Sequence, residues 1–375
     1  MNYISTRGHN CAVTSARAII KGLAEDGGLF VPENIPIIDE KFLTLLLDLS
    51  YQERAKKILS LYLTDFTAEE INQCVDNAYT TEKFDTDKIV PTVEVEKNNY
   101  LLELWHGPTS AFKDMALQLL PQFVSTSLKK LGDKDELVIL VATSGDTGKA
   151  ALDGFKNVDQ TKILVFYPQE GVSKIQRLQM LTQQGDNVSV FAVKGNFDDA
   201  QSGVKQIFSD SKYNEYLNEK GFKLSSANSI NWGRLLPQIV YYFSAYADLV
   251  NDKKITMGDK VNFTVPTGNF GDILAGFYAK CMGLPVNRLI CASNSNNVLT
   301  DFLKTGTYDR NREFFKTISP SMDILISSNL ERLLYHITND ETKIKSYMEK
   351  LQSTGCYQVD EVTLKAIQET FSAGY

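Results

Sequence analysis

Glu136-Leu-Val-Ile-Leu-Val-Ala-Thr143 is an apolar run of strand length that flows straight into Ser144-Gly-Asp-Thr-Gly148 and then into the helical stretch Lys149–Phe155. A strand without polar alternation reads as one buried on both faces, as in parallel sheets covered by helices. The same rhythm recurs downstream. Lys162–Tyr167 reads as a second buried strand, followed by a helix over Ser173–Gln184, and Val188–Val193 as a third. Val261–Pro266 leads through a glycine-rich turn into a helix over Gly271–Met282, and Arg288–Ala292 is strand-like again. Strands alternating with helices make the chain α/β from about residue 95 onward. Ligands of such sheets sit at the carboxyl ends of the strands, and both glycine-rich turns lie there.

Residues 1–92 have a different texture. Phe42–Leu49 and Tyr51–Tyr62 read as helices, and Thr67-Ala-Glu-Glu70 as a helix start, because a threonine oxygen can accept from free first-turn amides. Gly27-Gly28, Pro32 and Pro36 mark the turns between. This stretch is predicted to be a small N-terminal domain, with a boundary near Lys88–Glu94 and a second region over 93–375. A length of 375 residues is consistent with two or three domains.

Bulk properties narrow the function classes. A net charge of −7 argues against a nucleic-acid binder, which needs a basic surface. The longest apolar-rich segment, Leu235–Val250, is broken by Pro237, Gln238, Ser244 and Asp248, so no membrane span is expected. The opening residues lack a basic flank followed by an apolar run, and the protein is expected to be cytoplasmic. Cys11, Cys74, Cys281, Cys291 and Cys356 form no CxxC pair and are odd in number, as for reduced thiols. With only His9, His106 and His336, no multi-histidine metal site is expected.

Four segments carry chemistry. In His106-Gly-Pro-Thr-Ser-Ala-Phe-Lys-Asp-Met115, Lys113 is flanked by Phe112 and Ala111 at a loop-to-helix junction. An amine half-buried by apolar neighbours loses its charge more readily, which suits Schiff-base formation; the plain alternative is a surface lysine that opens a helix. In Val141-Ala-Thr-Ser-Gly-Asp-Thr-Gly148, small hydroxyl residues and glycines at a strand end offer donors to a carboxylate or phosphate, as does the helix that follows. It is not a Walker A loop: Thr143 stands at the first glycine and Ala150 at the magnesium-binding hydroxyl, which disfavours a P-loop kinase. In Pro266-Thr-Gly-Asn-Phe-Gly-Asp272, Gly268 and Gly271 would let the backbone approach an anion, although a structural turn fits equally well. In Ser226-Ala-Asn-Ser-Ile-Asn-Trp-Gly-Arg234, Asn228 or Ser229 is either a helix cap or a ligand contact, and Arg234 either a solvated charge or a bidentate anion clamp.

In their order and spacing these segments, together with Ser5-Thr-Arg-Gly8 and Gly22-Leu-Ala-Glu-Asp-Gly-Gly-Leu-Phe-Val-Pro32, resemble the threonine synthases of the longer bacterial and fungal type, over almost the whole chain. The resemblance implies a pyridoxal 5'-phosphate enzyme of the tryptophan-synthase-β-like fold, with two α/β lobes around a cleft: a smaller lobe over about 110–225 and a larger one from the remainder. It implies that Lys113 holds the cofactor as a Schiff base. It also implies that Gly268, Asn269, Phe270 and Gly271 cradle the cofactor phosphate with Asp272 opening the helix behind, and that Asp146 lies near the phenolic oxygen. A carboxylate there would repel a phenolate unless a proton is shared. Thr143, Ser144 and Thr147 would hold the substrate carboxylate, and Asn228, Ser229 and Arg234 would contact substrate. The implied reaction converts O-phosphohomoserine and water to L-threonine and phosphate, with no metal. Family members continue past the position of Phe371–Tyr375 into a Thr-Ala-His-Pro-like segment that pairs with the pyridine nitrogen, and residues 1–375 hold no counterpart. Two other readings are a serine/threonine dehydratase or other β-replacement enzyme, and a non-catalytic protein that keeps the fold.

Overall fold

The computed structural model describes residues 1–8, 12–170, 172–195 and 197–375; His9 and Cys11 lie outside them. The chain divides into two compact units. The first comprises Met1, Thr14–Gly22 and Leu49–Pro237, and the second comprises Asn2–Val13, Leu23–Asp48 and Gln238–Tyr375. Residues 1–92 therefore contribute to both.

The first unit is built on a four-stranded parallel sheet in the order Val188–Val193, Thr161–Pro168, Glu136–Ala142, Phe222–Ser226. Glu136–Ala142 is a central strand, in register with Thr161–Phe166 on one side and Phe222–Ser226 on the other. The apolar run is explained by its position. Leu137, Ile139 and Val141 are at most 1% exposed on one face, and Leu140 and Ala142 are buried on the other. Burying each large aliphatic side chain contributes about 1.5–3 kcal/mol. Helix Phe197–Ser209 covers the second face, where Ala200 and Val204 pack with Leu140 and Ala142. Helix Asp146–Phe155 packs on the central strands and on the short helix Asp114–Leu117. The sequence of Val188–Val193 predicts a buried strand; it is instead the sheet edge, with Phe191 exposed and stacked on Phe166 at 5.4 Å. Thr67 caps helix Ala68–Ala78 in a full capping box with Glu70, as its sequence predicts.

The second unit has a three-stranded parallel sheet in the order Phe371–Gly374, Val286–Ala292, Val261–Pro266. Helix Gly271–Met282 starts and stops where its sequence predicts. A two-stranded antiparallel pair, Tyr3–Ser5 with Phe30–Pro32, belongs to this unit. Thr6 and Arg7 follow it and reach Glu331: the threonine hydroxyl donates at 2.6 Å, and the guanidinium is bidentate at 2.9 and 2.8 Å. Cys74, Cys281, Cys291 and Cys356 are free thiols. Among the described residues, no helix is long and apolar enough to cross a membrane, and no group of acidic, histidine and cysteine side chains is gathered as a metal ion requires.

Candidate active site

In the first unit the strand Glu136–Ala142 ends at its carboxyl edge in Thr143–Gly145, and helix Asp146–Phe155 begins at once. Thr143 is 1% exposed and its Oγ1 accepts from the amides of Gly145 and Gly148, each at 2.9 Å. That hydroxyl thus shapes the turn and keeps its proton as a donor. Gly145 has φ 147°, and a Cβ there would meet Gln176 Oε1 at 2.1 Å, so the turn needs glycine. Ser144 and Thr147 flank it, both partly exposed, and the Thr147 amide donates to Asp146 Oδ1 at 2.8 Å.

Lys113 and Asp146, distant in sequence, meet here. Lys113 Nζ lies 2.8 Å from Asp146 Oδ1, and the two side chains are 11% and 7% exposed. Nζ also lies 5.7 Å from the centre of the Phe112 ring. Burial pulls the Lys113 amine below the usual lysine range; Asp146 opposes that pull, and the nearby Arg234 guanidinium adds to it. Burial thus makes this amine easier to deprotonate than an exposed lysine, as an amine nucleophile requires.

The loop before Lys113 is tied down from behind. Asp114 is fully buried and its carboxylate accepts from the Thr109 amide at 2.8 Å and the Thr109 hydroxyl at 2.7 Å. Lys149, 7% exposed, reaches across from helix Asp146–Phe155 to donate to the Thr109 carbonyl at 2.6 Å. The His106 ring bridges Asp85 at 2.5 Å and Glu103 at 2.7 Å. Thr109, Asp114 and Lys149 carry no site signature of their own in the sequence. The one available signal was Asp114 five residues after a threonine within a turn-forming stretch.

Asn228 and Ser229 form the turn ahead of helix Trp232–Asn251. The helix cap falls on Asn231, whose Oδ1 accepts from the Gly233 amide at 2.9 Å while Nδ2 donates to the Ile19 and Ser226 carbonyls. The cap is the polar residue adjacent to the apolar helix, where a side-chain oxygen reaches the first free amides. Arg234 is 3% exposed, with Nη1 2.5 Å from the Ala227 carbonyl, so it is not a solvated surface charge.

In the second unit Val261–Pro266 ends in Thr267, Gly268, Asn269 and Phe270, and helix Gly271–Met282 follows. Phe270 is left-handed, with φ 62° and ψ 3°, a conformation that an aromatic residue rarely adopts. Residues held this way gather at functional sites. Its ring is 1% exposed and packs on Phe371 at 5.5 Å. The first-turn amides of Gly271–Met282 have no intrahelical acceptors and carry the positive end of the helix dipole. Asp272 would oppose an anion there, but its carboxylate is engaged by the hydroxyls of Tyr241 at 2.5 Å and Tyr242 at 2.9 Å. Burial raises its pKa and so favours its neutral form.

Residues 2–79 match the family model for the threonine synthase N terminus. The chain is 43% identical over 371 residues to human threonine synthase-like 1, which covers 96% of this chain and 49% of that protein. It spans about half the length of the threonine synthase-like 1 proteins it matches. It is 38% identical over 397 residues to the threonine synthase of Saccharomyces cerevisiae, covering 99% of this chain and 75% of that one. The crystal structure of pyridoxal-phosphate-bound threonine synthase from Brucella melitensis superposes with a TM-score of 0.91 at 41% identity, over all of this chain and 78% of that one. A fold shared over its whole length, at this identity and with most of the yeast enzyme covered, means that the chain belongs to the threonine synthase family.

Proposed function

We propose that this chain converts O-phosphohomoserine and water to L-threonine and phosphate, with pyridoxal 5'-phosphate held on Lys113. The observation that carries the reading is the buried Lys113 amine, 2.8 Å from Asp146 and held below the usual lysine range, in a chain that belongs to this family. The residues fit such a cofactor: a buried amine whose proton is easier to remove than an ordinary lysine's, and a glycine-bounded loop at a helix N-terminus with the Asp272 carboxylate engaged by two tyrosines. Gly268, Asn269, Phe270 and Gly271 would hold the phosphate, with Asp272 anchoring the helix behind and Asp146 beside the cofactor ring. Pyridoxal phosphate supplies an electron sink for charge developing at the substrate Cα.

The chain's own residues do the remaining work. The Lys113 amine, when free, would move protons at the substrate Cα and Cβ. Asp146 receives the Lys113 ammonium at hydrogen-bond distance and keeps it oriented. Ser144 and Thr147, with the Thr143 proton, donate to the substrate carboxylate. Asn228, Ser229 and Arg234 bind the substrate's anionic groups, and Arg234 supplies the charge. A small-molecule substrate and the free thiols Cys74, Cys281, Cys291 and Cys356 among the described residues suit a cytoplasmic setting, and residues 1–92 are proposed as a domain distinct from the catalytic region 93–375.

The test has two parts. Borohydride reduction after incubation with pyridoxal 5'-phosphate should leave the adduct on the Lys113 peptide and none in Lys113→Ala. Turnover of O-phosphohomoserine should release phosphate and L-threonine together. A keto acid from threonine, with no phosphate release, would overturn the assignment in favour of a dehydratase.

A further inference from the structure

We infer that Ser327 and Asn329 are positioning residues that make the loop Gly268–Gly271 selective for the phosphate of its cofactor. They do so by holding two consecutive loop carbonyls on the side away from it. The inference rests on the reading that this loop takes the phosphate of pyridoxal 5'-phosphate.

The Ser327 hydroxyl donates to the Gly268 carbonyl at 2.8 Å. Asn329 donates twice to the next carbonyl, that of Asn269, from its amide and from Nδ2, each at 3.0 Å. A trans peptide is planar, and its N–H points opposite to its C=O. Tying the Gly268 carbonyl therefore aims the Asn269 amide the other way, and tying the Asn269 carbonyl does the same for the Phe270 amide. With Phe270 left-handed, successive amides lead into the free amides of the helix N-terminus. Successive backbone N–H groups gathered in this way form an anion-binding concavity.

Both residues are themselves held in place. Asn329 is fully buried, and its Oδ1 accepts from Arg332 Nη1 at 2.5 Å. A guanidinium only donates, so the side-chain amide cannot flip and Nδ2 must face the loop. Arg332 is in turn fixed by the Phe30 carbonyl at 2.9 Å. Ser327 is 7% exposed, and its amide donates to the Tyr308 hydroxyl at 2.7 Å. That tyrosine is buried and lies parallel to Tyr357 at 5.3 Å. Met322 and the Ser321 carbonyl lie 3.3 Å from where a Gly268 Cβ would stand, so the chain is closely packed at that residue. The effect of these contacts is on which way the loop amides face.

The test separates phosphate recognition from general damage by using two probes, pyridoxal 5'-phosphate and pyridoxal, titrated by absorbance against the whole chain. Ser327→Ala should weaken pyridoxal 5'-phosphate about tenfold, the worth of one hydrogen bond, and leave pyridoxal within twofold. Asn329→Asp keeps an acceptor for Arg332 and loses the Nδ2 donor, so it should show the same one-sided loss even if Ser327→Ala folds poorly. Equal losses on both probes, or no loss on either, would overturn the inference. If the unaltered chain fails to prefer the phosphorylated probe, the loop is not a phosphate site; the underlying reading then fails and the inference with it.

Discussion

Gly154→Ala puts the packing behind Lys113 to a direct test. Gly154 lies in helix Asp146–Phe155, and an added Cβ would stand 1.9 Å from the Leu117 carbonyl oxygen. Real contacts of this kind do not close below 3.0 Å, so something must move by more than 1 Å. The obstacle is backbone, which cannot rotate aside as a side chain would. Leu117 ends the short helix Asp114–Leu117, which begins immediately after Lys113. Alanine gains about 1 kcal/mol over glycine inside a helix. Overpacking costs about 1–3 kcal/mol, and a backbone obstacle places this site at or above the upper end. The net expectation is a loss of about 2 kcal/mol. A displacement of this size also disturbs the 2.8 Å Lys113–Asp146 pair, and a 1 Å misplacement costs about 100-fold in rate. Gly203→Ala is the matched comparison: it lies in helix Phe197–Ser209 with no atom within 4 Å of its added Cβ, so it should gain about 1 kcal/mol. Urea unfolding read by circular dichroism gives both stabilities, and borohydride trapping reports on Lys113. Gly154→Ala at or above the parent's stability, with Lys113 trapped as efficiently as before, would refute the packing argument.

Two further outcomes follow from buried charge. In Asp146→Asn, Lys113 keeps its burial and loses the carboxylate that opposed it, so the pH profile for reductive methylation of Lys113 by formaldehyde should move to lower pH; an upward shift or none would contradict the pairing. The His336 ring, beside the Arg332 guanidinium and 2.6 Å from the Tyr278 hydroxyl, is pushed down to about 4 by burial. Its folded value lies below the ordinary 6.5, so the unfolded chain binds more protons between the two; stability should rise with pH across that window, by up to about 3 kcal/mol. His336→Gln, which cannot titrate, should flatten that rise in urea midpoints measured at pH 4.5 and pH 7, and an unchanged slope would exclude His336 as its source.

Much of the fold was legible because burial on both faces leaves a local mark. Glu136–Thr143 announces its central position by its composition, and Thr67 and Glu70 announce a cap by their spacing. Phe222–Ser226 did not, because Ser225 and Ser226 are buried polar residues; the Ser225 hydroxyl is satisfied by the Ile20 carbonyl, 205 residues away. Val188–Val193 looks like its buried neighbours because edge position is decided by which strand is absent beside it, which composition does not record. Lys113 and the two glycine-rich turns could be picked out from their own segments. Ser327 and Asn329 could not: they act on carbonyls 59 and 60 residues away, and nothing around a serine or asparagine tells which peptide it will hold.

The contact of Thr6 and Arg7 with Glu331 bears on how the chain is made as well as on how it stands. The ribosome delivers Glu331 324 residues after Arg7, which at about 5–20 residues per second is on the order of 15–65 s. Met1 and Thr14–Gly22 apart, the first unit is one continuous stretch, Leu49–Pro237, and its members are all present once residue 237 has emerged. The second unit needs Asn2–Val13 and Leu23–Asp48 to wait for Gln238–Tyr375. Vectorial synthesis therefore lets the Lys113 half close before the half with the Gly268 loop. Any fragment that starts after Asp48 lacks the segments Asn2–Val13 and Leu23–Asp48 of that second half.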